Sequence, residues 1–194
     1  GMRDLLLHMV TVHGLRRIAF IRGPETNEDA NHRYQAYLDV LAEHAIPFDP
    51  RLVLPGTFDT ESGIEAIRIL CDERGLRPRQ DFEAVVASSD QMALSALDAL
   101  RARGIGVPRE VAVAGFDNWT RGRFAAPPLT TVQQPTHELG QRAAEMVLAQ
   151  IAGRQPPVQE TLPTELLVRQ SCGCPPPAAL CIYTPEAPGR APDA

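Results

Sequence analysis

Two apolar runs in this sequence end in polar side chains that could bind a small polar molecule. The first run, residues 83–87, is followed by Ser89 and Asp90, and the second, residues 111–116, is followed by Asp117. Hydroxyl and carboxylate groups form hydrogen bonds with the hydroxyls and ring nitrogens of small ligands. As neighbouring strands of a parallel sheet, the two runs would bring these groups to its carboxyl edge, where open α/β sheets bind ligands. The pattern therefore predicts a binding cleft.

The cysteines and histidines give a weaker indication of chemistry. Cys172 and Cys174 have the spacing of half a metal site, but the sequence shows no cluster that supplies the remaining ligands. The five histidines are scattered, at positions 8, 13, 32, 44 and 137. Four cysteines in 194 residues are too few for a disulfide scaffold. We therefore expect free thiols, no metal and no cofactor.

Composition and motifs argue against several classes of function. A formal charge of -5 and a pI near 5.5 disfavour nucleic acid as a partner of this chain alone. No apolar segment approaches the roughly 20 residues that span a bilayer, so no membrane partner is expected. No nucleophile elbow, Walker loop or H-E-x-x-H motif occurs, which predicts no catalytic residue and no enzyme. The lack of an export signal favours a cytoplasmic location.

The elements that would position these residues alternate along the chain. Apolar runs predict strands at residues 17–22, 51–54, 83–87, 111–116, 129–133 and 162–169. Helical periodicity and capping-box spacing predict helices that open at Thr26, Thr60 and Ser88, and a further amphipathic helix from Thr136 to about Ala152. Strands that alternate with helices predict βαβ units and a largely parallel sheet.

Several motifs, in this order and at these spacings, resemble the effector-binding domain of the LacI/GalR family of bacterial transcription regulators. They are Leu15–Ile21 with Gly23-Pro24, Ser88–Ala93, Gly104-Ile105 with Val107-Pro108, Gly115–Asn118, Pro128–Val132, Leu139-Gly140, Leu162–Leu166 and Arg169–Cys172. The resemblance runs from about Arg3 to Cys174, nearly the whole chain.

The resemblance implies an α/β periplasmic-binding-protein-like type I fold, with one nearly complete C-terminal lobe and a partial N-terminal lobe. Residues 1–14 would be a residual helix of the N-terminal lobe, 15–134 the C-terminal effector-binding lobe and 135–160 a helix that returns to the N-terminal lobe. Residues 161–174 would form the final strand segment and 175–194 a Pro-rich tail. The family's DNA-binding region and the first half of its N-terminal lobe are not matched.

Five positions match the family's ligand-contacting residues: Arg33, Phe58, Ser89, Asp117 and Gln134. Arg33 and Asp117 would form hydrogen bonds with ligand hydroxyls, and Phe58 would stack on an apolar ligand face. Simpler roles remain open from the chemistry alone, since Asp117 and Ser89 could cap helices and Phe58 could belong to the core. Gln134 could contact the ligand or only satisfy backbone groups.

The resemblance also implies a partner and a mechanism. The helix after Asp90 contributes to a dimer interface in the family, and Leu94 is the candidate surface residue here. We expect a homodimer, with exchanged elements as one form of it, that senses a small polar effector such as a sugar. Two other functions remain open: a dimerisation module that ignores ligands, and a sugar-binding protein of a transport system.

Overall fold

The computed structural model describes residues 1–176, and a four-stranded parallel sheet lies at its centre. The strands are β1 (Ile18–Ile21), β2 (Val53–Leu54), β3 (Ala84–Ala87) and β4 (Ala112–Ala114). Their order is β2-β1-β3-β4, and Phe20 of β1 pairs with Val53 on one side and with Val86 on the other. Every residue of β1 and β3 is buried, as expected for apolar strands covered on both faces. The predicted α/β class with a parallel sheet is confirmed.

Helices cover both faces of this sheet. Among residues 1–176 the α-helices are α1 (Met2–Thr11), α2 (Glu28–Glu43), α3 (Thr60–Arg68, continued by a π-helical turn Ile69–Glu73), α4 (Asp90–Ala102), the short α5 (Thr120–Arg123) and α6 (Thr136–Ile151), and the first four of them pack on the sheet. Side chains alternate between the two faces along β1, so Ala19 and Ile21 pack with α3 and α4, whereas Ile18 and Phe20 pack with α1 and α2.

The first helix corrects one expectation about domain organisation. Leu5, Leu6 and Met9 of α1 are fully buried, in the same apolar cluster as Ile18 and Phe20 of β1. α1 also packs along α2. Residues 1–14 are therefore not a remnant of a separate lobe, because their apolar face completes one layer of the central domain.

The segment after α5 leaves the central sheet as it crosses the molecule. Thr130 pairs in parallel with Ala114 of β4, and the amide of Asp117 donates to the carbonyl of Val132 over 2.8 Å. The chain then forms β5 (Thr131–Gln133), which pairs antiparallel with β6 (Glu165–Leu167). The expected parallel pairing is thus present beside β4, whereas β5 pairs antiparallel.

α6 differs from the other long helices because none of its residues is buried. Its apolar side chains lie along an uncovered surface formed by Leu139, Val147, Leu148 and Ile151. The helix predicted for residues 136–152 is therefore present, but no residue of its apolar face is buried within residues 1–176.

Two helix starts are shifted by one residue from the predicted positions. The side chain of Asn27, rather than Thr26, caps α2 by accepting from the amide of Ala30 over 2.8 Å. Ser89, rather than Ser88, caps α4 by accepting from the amide of Met92 over 3.4 Å. In both cases the cap lies three residues before the amide that it satisfies, which is the geometry that an N-cap requires.

Among residues 1–176, no helix combines the length and apolarity needed to cross a bilayer. Most of the predicted Pro-rich tail, with Cys181, lies outside the described residues.

Candidate functional site

A cavity of about 300 Å³ opens at the carboxyl edge of the central sheet, where the sequence predicts a cleft. It is lined by Asn27, Asp29, Arg33, Phe58, Ser89, Gln91, Asp117 and Trp119. Four of the five predicted ligand-contacting residues thus share one cavity. The fifth, Gln134, lines an adjoining cavity of about 290 Å³ together with Arg33.

Arg33 projects from α2 into the space between the two cavities. Its Nη1 donates to the carbonyl oxygen of Ser88 over 2.6 Å, and its Cζ lies 3.9 Å from the centre of the Phe116 ring. Burial lowers the pKa of this guanidinium, and the carboxylates of Asp117 and Asp29 partly offset that effect. Arg33 remains charged at neutral pH, and its remaining N–H groups are free to donate to an oxygen-rich ligand.

Asp117 faces Arg33 from the turn after β4. Burial raises the pKa of its carboxyl, and the charge of Arg33 together with a hydrogen bond from Gln134 opposes the rise. That hydrogen bond runs from Nε2 of Gln134 to Oδ1 of Asp117 over 2.6 Å. Asp117 and Asn118 have φ angles of 117° and 54°, which residues other than glycine seldom adopt. Backbone strain of this kind concentrates at ligand-binding positions.

Asp90 organises the turn that carries Asp117. Its side chain is fully buried, its Oδ1 accepts from the hydroxyl of Thr131 over 2.6 Å, and its Oδ2 accepts from the amide of Trp119 over 2.7 Å. Burial raises the pKa of Asp90 to about 6, although the two hydrogen bonds act in the opposite direction. Asp90 therefore joins the start of α4, β5 and the turn that carries Asp117.

Gly115 makes this arrangement possible because it has no side chain. A Cβ at position 115 would lie well inside van der Waals contact with Oδ1 of Asp90 and 2.9 Å from the Cβ of Ala93. The close approach of β4 to the start of α4 thus requires glycine, which explains the first residue of the Gly115–Asn118 motif in physical terms.

Phe58 combines the two roles that the sequence leaves open. It has a φ of 67° and is half-buried. The ring covers Gly23, where a Cβ would lie 2.5 Å from Cε1 of Phe58, so part of the side chain serves packing. The ring also borders the cavity, with its centre 6.0 Å from Cζ of Arg33.

Ser89 borders the cavity as predicted, but its hydroxyl is directed to the backbone of α4 as the helix cap. The neighbouring Ser88 is different, since its hydroxyl is buried and has no hydrogen-bond partner among residues 1–176. A buried hydroxyl without a partner costs free energy.

Four cavity residues are missed by sequence reasoning: Asn27, Asp29, Gln91 and Trp119. Asn27 caps the helix that bears Arg33, and Asp29 lies in its first turn, so neither residue needs a ligand to explain it. Trp119 is 45 % exposed and lies two residues after Asp117, so its position directly after the site motif is a signal that could have identified it. Gln91 donates from Nε2 to the hydroxyl of Thr60 over 3.2 Å.

The expectation that Leu94 lies on a dimer surface is wrong for this structure. Leu94 is 3 % exposed and belongs to the apolar cluster between the sheet and helices α3 and α4. The first seven residues of α4 are almost wholly covered because α3 packs along the helix. Leu94 therefore serves the core.

The expectation that no cluster accompanies Cys172 and Cys174 is not met, since the structure brings two histidines close to them. Ligand atoms of His8, His13, Cys172 and Cys174 lie within 4.8 Å of one another. The two histidines come from the N-terminal helix and the loop after it, and the two cysteines from the far end of the described chain. No local spacing in the sequence reveals this cluster.

The sequence and the structure are both similar to those of known regulators. The profile of the periplasmic binding protein-like domain matches residues 8–172. The chain is 41 % identical over 159 residues to the HTH-type transcriptional regulator CelR of Thermobifida fusca, covering 81 % of this chain and 45 % of the relative. It is 37 % identical over 141 residues to the HTH-type transcriptional repressor CytR of Escherichia coli K12, covering 73 % and 40 %.

Among solved structures, a transcriptional regulator CelR–cellobiose complex superposes with a TM-score of 0.78 at 38 % sequence identity. The match covers 88 % of this chain and 49 % of that chain. This chain therefore spans less than half the length of these relatives.

Proposed function

Since the chain belongs to the periplasmic binding protein-like domain family, among the LacI-type transcription regulators, we propose that it senses a small polar effector, most simply a sugar. The single observation that supports this most strongly is the convergence of Arg33 and Asp117 on one cavity that Phe58 and Trp119 also line. In this proposal the chain binds its effector and catalyses no reaction, and the regulator acts in the cytoplasm.

The chemistry of the cavity suits a sugar. A carboxylate and a guanidinium accept from and donate to ring hydroxyls, and charge-assisted hydrogen bonds are the stronger kind. Phe58 and Trp119 offer apolar ring faces to the C–H groups of a sugar, and both border the cavity. Ligand sites commonly combine such apolar walls with a few polar groups that fix orientation.

The proposed mechanism is closure of a second lobe over this cavity. A ligand that contacts both lobes biases the regulator towards one of two lobe orientations, and the dimer transmits the change to a DNA-binding part. The half of the cleft described here would bind ligand weakly, because it buries less ligand surface than an enclosed pocket.

The test is a titration of the isotope-labelled chain with a panel of monosaccharides and β-linked disaccharides, cellobiose included, followed by NMR. This method detects millimolar binding, which a half-cleft is expected to show. Amide shifts should cluster at residues 88–91 and 115–119, and Arg33→Ala should abolish them, whereas the control Arg68→Ala, on the outer side of α3, should not. A folded chain without concentration-dependent shifts for any sugar would contradict the proposal.

A second candidate function is an interaction module that ignores small molecules. The uncovered apolar residues of α6, among them Val147 and Ile151, favour it. Sedimentation analysis of the chain separates the two candidates. A concentration-dependent dimer that Val147→Glu disrupts, in a protein that binds no sugar, would support the interaction module instead of the sensor.

A further inference from the structure

His8, His13, Cys172 and Cys174 form a compact cluster whose ligand atoms face one another. Nε2 of His8 lies 3.2 Å from Nε2 of His13 and 3.6 Å from Sγ of both cysteines. Nε2 of His13 lies 3.4 Å from Sγ of Cys174. Four possible metal-ligand atoms thus lie close together.

Hydrogen bonding alone does not account for this convergence. An imidazole Nε2 carries at most one hydrogen, yet Nε2 of His8 has three close neighbours that are themselves donor atoms. A neutral Nε2 offers either one hydrogen or one lone pair, so it can form one well-directed hydrogen bond with these neighbours and not three. A cation at the centre would turn every one of these contacts into an attractive interaction.

The separations match those of a tetrahedral zinc site. With bonds of about 2.0–2.1 Å to nitrogen and about 2.3 Å to sulfur, a tetrahedron places two nitrogens roughly 3.3 Å apart and a nitrogen and a sulfur roughly 3.5 Å apart. The measured separations of 3.2 Å for nitrogen to nitrogen, and of 3.4–3.6 Å for nitrogen to sulfur, lie close to these values. Two cysteines and two histidines are also a common donor set of structural zinc sites.

We propose that the chain binds one zinc ion through His8, His13, Cys172 and Cys174. This proposal does not rest on the effector-binding function. With four protein ligands the coordination is closed, which makes the site structural rather than catalytic.

Local geometry brings the two cysteines to one side. Cys172 ends a short 3₁₀ turn (Gln170–Cys172), and Gly173 has a φ of 107°. A Cβ at position 173 would lie 3.4 Å from the His13 ring, so glycine allows both the bend and the close approach. Sγ of Cys172 also lies 3.2 Å from the carbonyl oxygen of Arg169, a hydrogen bond of the protonated thiol that metal binding would replace.

A zinc ion at this site would link the segment of Cys172 and Cys174 to the N-terminal helix α1 and the loop after it. The two pairs of ligands are more than 150 residues apart in sequence, and His8 belongs to the helix that completes one layer of the fold. A cavity of about 340 Å³ that includes His13 and Cys172 also includes Glu83 and Glu110, which precede β3 and β4. The metal would therefore lie at the amino edge of the sheet, opposite the effector cavity.

The first experiment measures metal content by mass spectrometry after purification under reducing conditions and dialysis against micromolar zinc. We expect one zinc per chain, and cobalt in its place should give the visible absorption of tetrahedral thiolate coordination. Cys174→Ser and His13→Ala should reduce the zinc content to below half. The controls Cys71→Ser and His32→Ala, outside the cluster, should leave it unchanged. Absence of zinc from the wild-type chain, or full zinc content in both ligand variants, would overturn the proposal.

A second measurement guards against variants that fail to fold. Because metal binding adds directly to folding free energy, chelation of zinc from the wild-type chain should lower Tm by at least about 5 °C, a shift of the size that a few kcal/mol produces in a domain of this length. The Tm of Cys174→Ser should not respond to the chelator. An equal response of both proteins, or no response from either, would refute a structural zinc.

Discussion

Nε2 of Gln134 donates a hydrogen bond of 2.6 Å to Oδ1 of Asp117 and so links the segment after β5 to the carboxylate of the candidate site. The two residues lie 17 positions apart, and each faces Arg33 across one of two adjoining cavities. A ligand that donates a hydrogen bond to Oδ1 of Asp117 must therefore replace the hydrogen bond from Gln134 or share the oxygen with it. This makes the site sensitive to the position of the segment that leaves the central domain.

Asp117→Asn should weaken effector binding by about tenfold or more. The change keeps the size and the left-handed backbone but removes the charge that Arg33 faces, and hydrogen bonds to charged groups contribute about 1.5–3 kcal/mol. The dissociation constant for the sugar identified in the NMR titration is the measurement. Asp98→Asn, a carboxylate on α4 that pairs with Arg121 at the surface, is the control. Equal affinity of Asp117→Asn and the wild type would remove Asp117 from the binding site.

Asp90→Asn should flatten the pH dependence of stability. The pKa of Asp90 in the folded chain, about 6, lies above its ordinary value of 3.8, so the folded state holds this proton more tightly than the unfolded state. The contribution of Asp90 is then fully present below about pH 4 and is lost as pH rises to about 6, with a decrease of roughly 3 kcal/mol in the free energy of unfolding.

Urea denaturation between pH 4 and 7 measures this effect as the difference between wild type and variant. Asparagine can still accept from the amide of Trp119 and donate to the hydroxyl of Thr131, so the variant should fold. Asp39→Asn, an exposed change on α2, provides the comparison and should follow the wild type. Parallel curves for wild type and Asp90→Asn would show that Asp90 does not titrate in this range.

Gly115→Ala should destabilise the chain by about 2–3 kcal/mol, because the new methyl group collides with Asp90 and Ala93 in a well-packed region. Gly140→Ala on α6 is a matched control, since nothing lies within 4 Å of the added Cβ. Alanine at that exposed helical position should stabilise by up to about 1 kcal/mol. The midpoints of urea unfolding give both values, and the same sign for the two variants would contradict the packing described here.

Leu94→Ala should cost about 2–5 kcal/mol of stability, the range for removal of a buried leucine side chain. Leu148→Ala should change stability little, because that side chain is 62 % exposed on α6. For self-association we expect the opposite order: Leu148→Ala should weaken it, because Leu148 is exposed, and Leu94→Ala should affect it little. An unfolding midpoint unaffected by Leu94→Ala would restore Leu94 as a surface residue.

Much of the fold could be predicted because its signals are local. The runs at residues 83–87 and 111–116 are short, apolar and bounded by polar residues, so their strand character and the polar groups at their carboxyl ends can be read directly from the sequence. The position of the candidate site could also be predicted, because parallel pairing of β3 and β4 places Ser89 and Asp117 at the same edge of the sheet. The observed N-cap of α4 lies one residue after the predicted one, because capping-box spacing at Ser88 is a weaker constraint than the hydrogen bond that Ser89 makes.

The remaining features depend on contacts between distant segments. Nothing near Leu94 indicates that α3 covers its face of the helix. Likewise, His8 and His13 on the one hand and Cys172 and Cys174 on the other are unremarkable pairs in isolation, and only the packing of α1 on the sheet brings them together. The family resemblance places α1 in the other lobe, and the periodicity of its apolar face does not correct this, because periodicity does not identify the layer that the face covers.

The backbone at Asp117 has a consequence for how effector specificity can change during evolution. A φ of 117° favours glycine, asparagine and aspartate over other residues, whatever the ligand. Exchange among these three would alter charge and hydrogen bonding towards a bound molecule while the turn keeps its shape. In the proposed sensor, position 117 therefore offers a route by which related regulators could acquire new effectors while the fold is kept.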